Sequence, residues 1–192
     1  MGMPLPEVED NRLRTACEEQ VDRLRLPHRF TTRDLRDSIA ALRDKPILLK
    51  PLSTLGALGA LGALGALDAP CGIRLEMPAA DLLFYEEGTS VHHQRHILTH
   101  ELCHIYCDHP GTLEIDADAA HVLGVNPTLV LRMSGRTSYS TTDEREAETM
   151  ATIIRQRMYR EREAPSRRPG RGTESWDALF SQAIRRGRLR SR

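Results

Sequence analysis

His100-Glu101-Leu102-Cys103-His104 sets two imidazoles four residues apart, with a carboxylate beside the first of them. Four residues make about one helical turn, so both rings leave one face at the separation that two ligands of a tetrahedral ion need. Glu101 stands next to a ligand without being one. A metal ion lowers the pKa of water in its open position to about 7, and a carboxylate placed like Glu101 takes the proton as attack on a carbonyl begins. That is the chemistry of a zinc peptidase, and the H-E-x-x-H spacing encodes its geometry. The same five residues also arise as two histidines on a solvated helix face. Leu102 and Ile105 give this segment an apolar side, which favours a packed helix.

A catalytic zinc ion takes three protein ligands and leaves its fourth position open. After His104 the chain runs IYCDHPGTLE, without the H-x-x-G-x-x-H continuation of metzincins. A glutamate on a later helix is the other common source, and TDEREAETMA, starting at Thr142, offers three. Glu144 and Glu148 lie one turn apart on a shared face beside Ala147 and Ala151, which are small enough for two helices to approach closely. Glu146 points elsewhere, towards solvent. His92, His93, His96 and His109 crowd the first helix and read as surface or capping residues, with a substrate-facing role for one of them as the alternative. Cys103 and Cys107 read as small buried hydrophobes rather than zinc thiolates. Tyr139 is a candidate donor to a developing oxyanion.

The elements that must position these groups follow from periodicity. Residues 8–25 place Leu13, Cys17, Val21 and Leu24 at helical spacing. A second helix is predicted over Thr32–Asp44, with Leu35, Ile39 and Leu42 on one stripe. Ile47-Leu48-Leu49 reads as a strand, as do the alternating residues Ile73–Met77 and then Leu82–Tyr85. Between the first two strands lies LGALGALGALGAL, whose period of three matches neither strand nor helix and which reads as a low-complexity loop. Ser90–Cys107 is helical, stopped by His109-Pro110-Gly111. Residues 112–140 read as loop with an apolar piece, Leu129-Val130-Leu131. Thr142–Glu161 is again helical, followed by the linker APSRRPGRGTES and a last amphipathic stretch around Trp176, Leu179, Phe180 and Ile184. The expected organisation is N-terminal helices over 1–45, a catalytic domain over 46–162 and a basic appendage over 163–192. The expected fold class is α+β, a small three-stranded sheet packed with helices.

Length and composition bound the rest. The chain has 192 residues, 40% hydrophobic and 28% charged, enough for a real core. Its net charge of zero conceals two unlike parts: residues 155–192 hold 12 arginines against 4 acidic residues, a net of +8, which leaves −8 for residues 1–154. Neutrality therefore excludes no charged partner, and the basic tail is the one segment suited to an acidic partner or nucleic acid. Four cysteines without a C-x-x-C pair suggest a reducing compartment. No secretory signal is visible, and the longest apolar run is short of the roughly 20 residues of a membrane span. A cytoplasmic protein without a membrane partner is expected.

R-H-I-L-T-H-E-L-C-H followed by E-R-E-A-E-T-M-A resembles the ImmA/IrrE family of metallopeptidases, over about residues 45–160. The family pairs H-E-x-x-H with a downstream E-x-x-A-[N/D]-x-F-A helix. The resemblance implies a zincin-like domain with Zn2+ held by His100, His104 and Glu144, and Glu101 as the base. The Asn/Asp position falls on Glu148, a departure: a longer carboxylate there can support a ligand histidine from behind or compete as the third ligand. The implied activity is narrow proteolysis of a partner regulator in bacterial stress or mobile-element control. The partner is typically a helix-turn-helix repressor, which would here be a separate chain. The competing reading is a non-proteolytic regulatory or toxin-like component of a toxin–antitoxin type pair.

Overall fold

The computed structural model describes residues 6–53, 72–111, 115, 117–135 and 139–163. The chain divides into two compact units, Met1–Arg162 and Glu163–Arg192. The Leu-Gly-Ala repeat, the Arg-rich linker and the Trp176 stretch lie outside the described residues.

Helix α1 covers Pro6–Arg23 and α2 covers Thr32–Arg43. Thr31 caps α2 reciprocally with Asp34: the Thr31 hydroxyl accepts from the Asp34 backbone N–H and the Asp34 carboxylate accepts from the Thr31 N–H. Leu35 and Ile39 of α2 are buried, whereas Leu42, on the same stripe at the last turn before the left-handed Asp44, is exposed.

Strands β1 (Ile47–Leu52), β2 (Gly72–Glu76), β3 (Asp81–Glu86) and β4 (Arg132–Gly135) form one sheet in the order β1-β3-β2-β4. β1 runs parallel to β3, and β2 runs antiparallel to both β3 and β4. Among the described residues the expected three strands are therefore four. β4, Arg-Met-Ser-Gly, has no alternation of its own. It is a strand because β2 offers it a ladder, with Leu75 opposite Met133 and Ile73 opposite Gly135. The stretch read as loop also contains the short helix α4, Ala117–Leu123, which buries Ala119, Ala120 and Leu123.

The sheet has two covered faces. On one, Leu83 and Ile47 pack with Cys17, Val21, Leu35, Ile39, Leu102 and Ile154, so the first two helices share a core with α3 (Val91–Cys107) and α5 (Thr141–Glu163). On the other, Ile73, Leu75, Phe84 and Met133 meet Leu123 of α4. Period-two alternation through β2 and β3 places these two sets on opposite sides. It also places Arg74 on the helix side, where solvent does not reach it. Arg74 reaches Asp81 at 3.2 Å, Lys45 reaches Glu76 at 3.1 Å, and Arg132 bridges Glu76 to Asp108. Arg43 hydrogen-bonds the Ile105 carbonyl at 3.0 Å. This ionic group ties α2 and three strands to the C-terminal end of α3. Burial opposes ionisation of Glu76, but its hydrogen bonds to Arg132 and Lys45 outweigh that cost and hold the carboxyl at about 2. No helix among the described residues is long and apolar enough to cross a membrane.

Candidate metal centre

Helix α3 carries both histidines. Ser90 caps its N-terminus by accepting from the His93 N–H, and the helix ends at Cys107, as its periodicity predicts, with Asp108 capping it in the left-handed conformation. Ile97, Leu98, Leu102 and Ile105 anchor one side in the core. The face one turn along then presents His100 and His104, whose Nε2 atoms lie 3.1 Å apart. At this distance one ring N–H can donate to the other ring's lone pair, or both lone pairs can meet one ion.

Helix α5 supplies the third group. Ser140 and Asp143 cap each other across its first turn, and the Glu144 N–H donates to the Ser140 carbonyl at 3.0 Å. Ala147 and Ala151 are fully buried where α5 enters the core. Small side chains there bring Glu144 to 3.4 Å from His100 Nε2 and 3.7 Å from His104 Nε2. The ligand atoms of His100, His104 and Glu144 all lie within 4.8 Å of one another and could hold a metal ion. Glu148 lies behind the site rather than in it, with its Oε2 3.3 Å from His100 Nδ1.

Burial, then the neighbouring His100 and His109 rings, push the His104 pKa down to about 2, so the ring is neutral and able to offer a lone pair. The Tyr139 ring lies almost flat on His104, centroids 3.6 Å apart at 11°. Its hydroxyl donates to Ser134 Oγ at 2.7 Å, and burial raises its pKa well above the ordinary value. Tyr139 therefore covers a histidine, and its hydroxyl is directed to Ser134 of β4. Glu101 is 3% exposed and borders a cleft of about 840 Å³ between α1, α3 and α5. His100, Glu144 and Glu148 line the cleft with Glu101, and Leu13 and Ile97 supply apolar wall.

The remaining candidates separate cleanly. Cys103 is a buried core residue. Cys107, with its Sγ 3.4 Å from Met150 Sδ, has its thiol pushed up by burial to about 12. His92 stacks on Tyr159 and His96 meets Arg155 at 2.6 Å. Two expectations are overturned. His109 is a buried residue bonded to His104, and Glu146 bonds His109 and Gln20 instead of facing solvent. Their partners sit on three different elements, so no spacing within one helix could reveal them. Cys107, His109 and Glu146 form a second group that could hold a metal ion.

No family model, no curated protein and no solved structure matches the chain.

Proposed function

We propose that the chain is a zinc-dependent metallopeptidase that cleaves an exposed loop of a partner transcriptional regulator. The observation that carries this reading is the convergence of His100, His104 and Glu144 around one point, with Glu101 buried beside it on the wall of a cleft. A tetrahedral zinc ion with ligands at about 2.0–2.1 Å separates its ligand atoms by roughly 3.3 Å. Here the two imidazole Nε2 atoms are 3.1 Å apart, one Glu144 oxygen is 3.4 Å from His100 Nε2 and the other is 3.7 Å from His104 Nε2, all within 4.8 Å of one another as ligand atoms. Two imidazoles and a carboxylate are also the donor set of a catalytic rather than a structural zinc site.

When bound, zinc supplies a Lewis acid that polarises the scissile carbonyl and acidifies water. The chain's own residues do the rest. His100, His104 and Glu144 would hold the ion. Glu101 accepts the proton of the attacking water and returns it to the departing amine. Gly72, having no Cβ, leaves free the space that the Glu101 side chain occupies. The cleft between α1 and α5 holds the peptide. That the substrate is a separate helix-turn-helix repressor rests on the resemblance of the two motifs to the ImmA/IrrE family.

The test is zinc content and cleavage of a co-encoded repressor by the wild type and by Glu101→Gln. Retained zinc with cleavage lost in the variant supports the enzyme. Absence of cleavage by both proteins, with a regulatory effect intact in both, would replace it with a non-proteolytic component.

A further inference from the structure

His109 and Glu146 lie behind His104, on the side away from the cleft. His109 Nδ1 is 2.8 Å from His104 Nδ1, and His109 Nε2 is 3.2 Å from Glu146 Oε2. Asp143 Oδ1 stands 3.9 Å from the same His109 nitrogen. The other Glu146 oxygen accepts from Gln20 Nε2 of α1 at 2.9 Å. His104 is fully buried and His109 is 5% exposed.

Two ring nitrogens 2.8 Å apart share one hydrogen, and the far end of the chain decides which ring carries it. An ionised carboxylate can only accept, so His109 Nε2 bears hydrogen and donates to Glu146. With one N–H on the ring, given to Glu146, His109 Nδ1 is an acceptor and the shared hydrogen sits on His104 Nδ1. His104 Nε2 is then left with its lone pair, and this is the atom facing His100 Nε2 at 3.1 Å and Glu144 at 3.7 Å. The opposite assignment sets a His109 lone pair against a carboxylate at 3.2 Å in a poorly solvated place, which is repulsive.

We propose that His109 and Glu146 are positioning residues, a His104–His109–Glu146 chain that fixes His104 in the one tautomer able to ligate a metal through Nε2. The inference rests on the metal reading of His100, His104 and Glu144. It also decides between the two groups that could hold an ion. A metal on His109 Nε2, with Cys107 and Glu146, would move the His109 hydrogen to Nδ1 and the His104 hydrogen to Nε2, removing the lone pair from the first site. With neutral rings the two sites exclude one another.

The test uses the full chain: zinc stoichiometry and affinity by competition with a chromophoric chelator, and the tautomers of His104 and His109 by 15N NMR. In the zinc-loaded wild type the hydrogens are expected on His104 Nδ1 and His109 Nε2. Glu146→Ala is expected to weaken zinc binding about 10–100-fold. Glu146→Gln, whose amide oxygen still accepts from His109, should recover most of it. One equivalent of zinc bound with unchanged affinity in Glu146→Ala and His109→Ala overturns the relay alone. A second equivalent that disappears in Cys107→Ser overturns it in favour of the second site. A wild type that binds no zinc overturns the metal reading and the relay together.

Discussion

Gly72 stands so close to Glu101 that a Cβ on the glycine would come within 2.6 Å of Glu101 Cγ and 2.9 Å of its Oε1. The first residue of β2 thus shapes the seat of the proposed base. Gly72→Ala is expected to displace the Glu101 carboxylate while leaving His100, His104 and Glu144 untouched. Peptidase activity should fall about 100-fold with zinc content unchanged, since a shift of about 1 Å in a reacting group costs that much. Turnover equal to wild type in the alanine variant would remove Glu101 from the reaction or Gly72 from its support.

Glu144 and Glu148 occupy one face of α5 but do different work. Glu144 lies among the Nε2 atoms, whereas Glu148 faces His100 Nδ1. Glu144→Ala should abolish tight zinc binding. Glu148→Ala should weaken it only about 10–100-fold, as loss of an outer partner does. Chelator competition on both variants reads the difference, and the reverse order would make Glu148 the ligand.

Tyr139 contributes its ring more than its hydroxyl. Tyr139→Phe keeps the stack on His104 and loses one hydrogen bond, at a cost of about 1 kcal/mol in thermal or urea unfolding, with activity retained. Tyr139→Ala opens a cavity over the ligand and is expected to cost about 3–5 kcal/mol. If the phenylalanine variant loses turnover without losing stability, the hydroxyl acts on substrate.

The ionic group beneath α3 predicts an acid dependence. The Glu76 carboxyl lies at about 2 in the fold against an ordinary 4.5. A depressed pKa adds stability that is fully present above the ordinary value and disappears as pH falls through the folded one. Glu76→Gln should therefore cost about 2 kcal/mol near neutral pH. The gap to wild type should hold down to about pH 4.5 and close towards pH 2. A gap that widens on acidification would contradict the assigned hydrogen bonds to Arg132 and Lys45.

The legible part of this protein is the part that one helical period can carry. His100 with His104, and Glu144 with Glu148, share faces because each pair is one turn apart, and Ala147 and Ala151 mark where α5 could approach α3 closely. Glu148 behind His100 was within that reach, since it shares the face of Glu144, but the outer partners of His104 were not. His109 bonds across to Glu146, Glu146 to Gln20, and Tyr139 folds back on His104, all through contacts between elements. Arg74 and Glu76 alternate with apolar residues like any solvated strand face. They are covered because α2 and α3 bring Arg43, Lys45 and Asp108 over them. β4 was invisible for the same reason, since its pairing lies in β2.

The sheet order has a consequence for the Leu-Gly-Ala repeat. Because β3 lies between β1 and β2, and Leu52 and Gly72 pair with Glu86 and Tyr85 at the same end of it, the intervening chain joins two points only about two strand spacings apart, roughly 10 Å. Three or four extended residues could cover that gap. The register of β2 is fixed by its own ladders with β3 and β4, so Gly72 is set against Glu101 by pairing within the sheet rather than by the number of triplets that precede it.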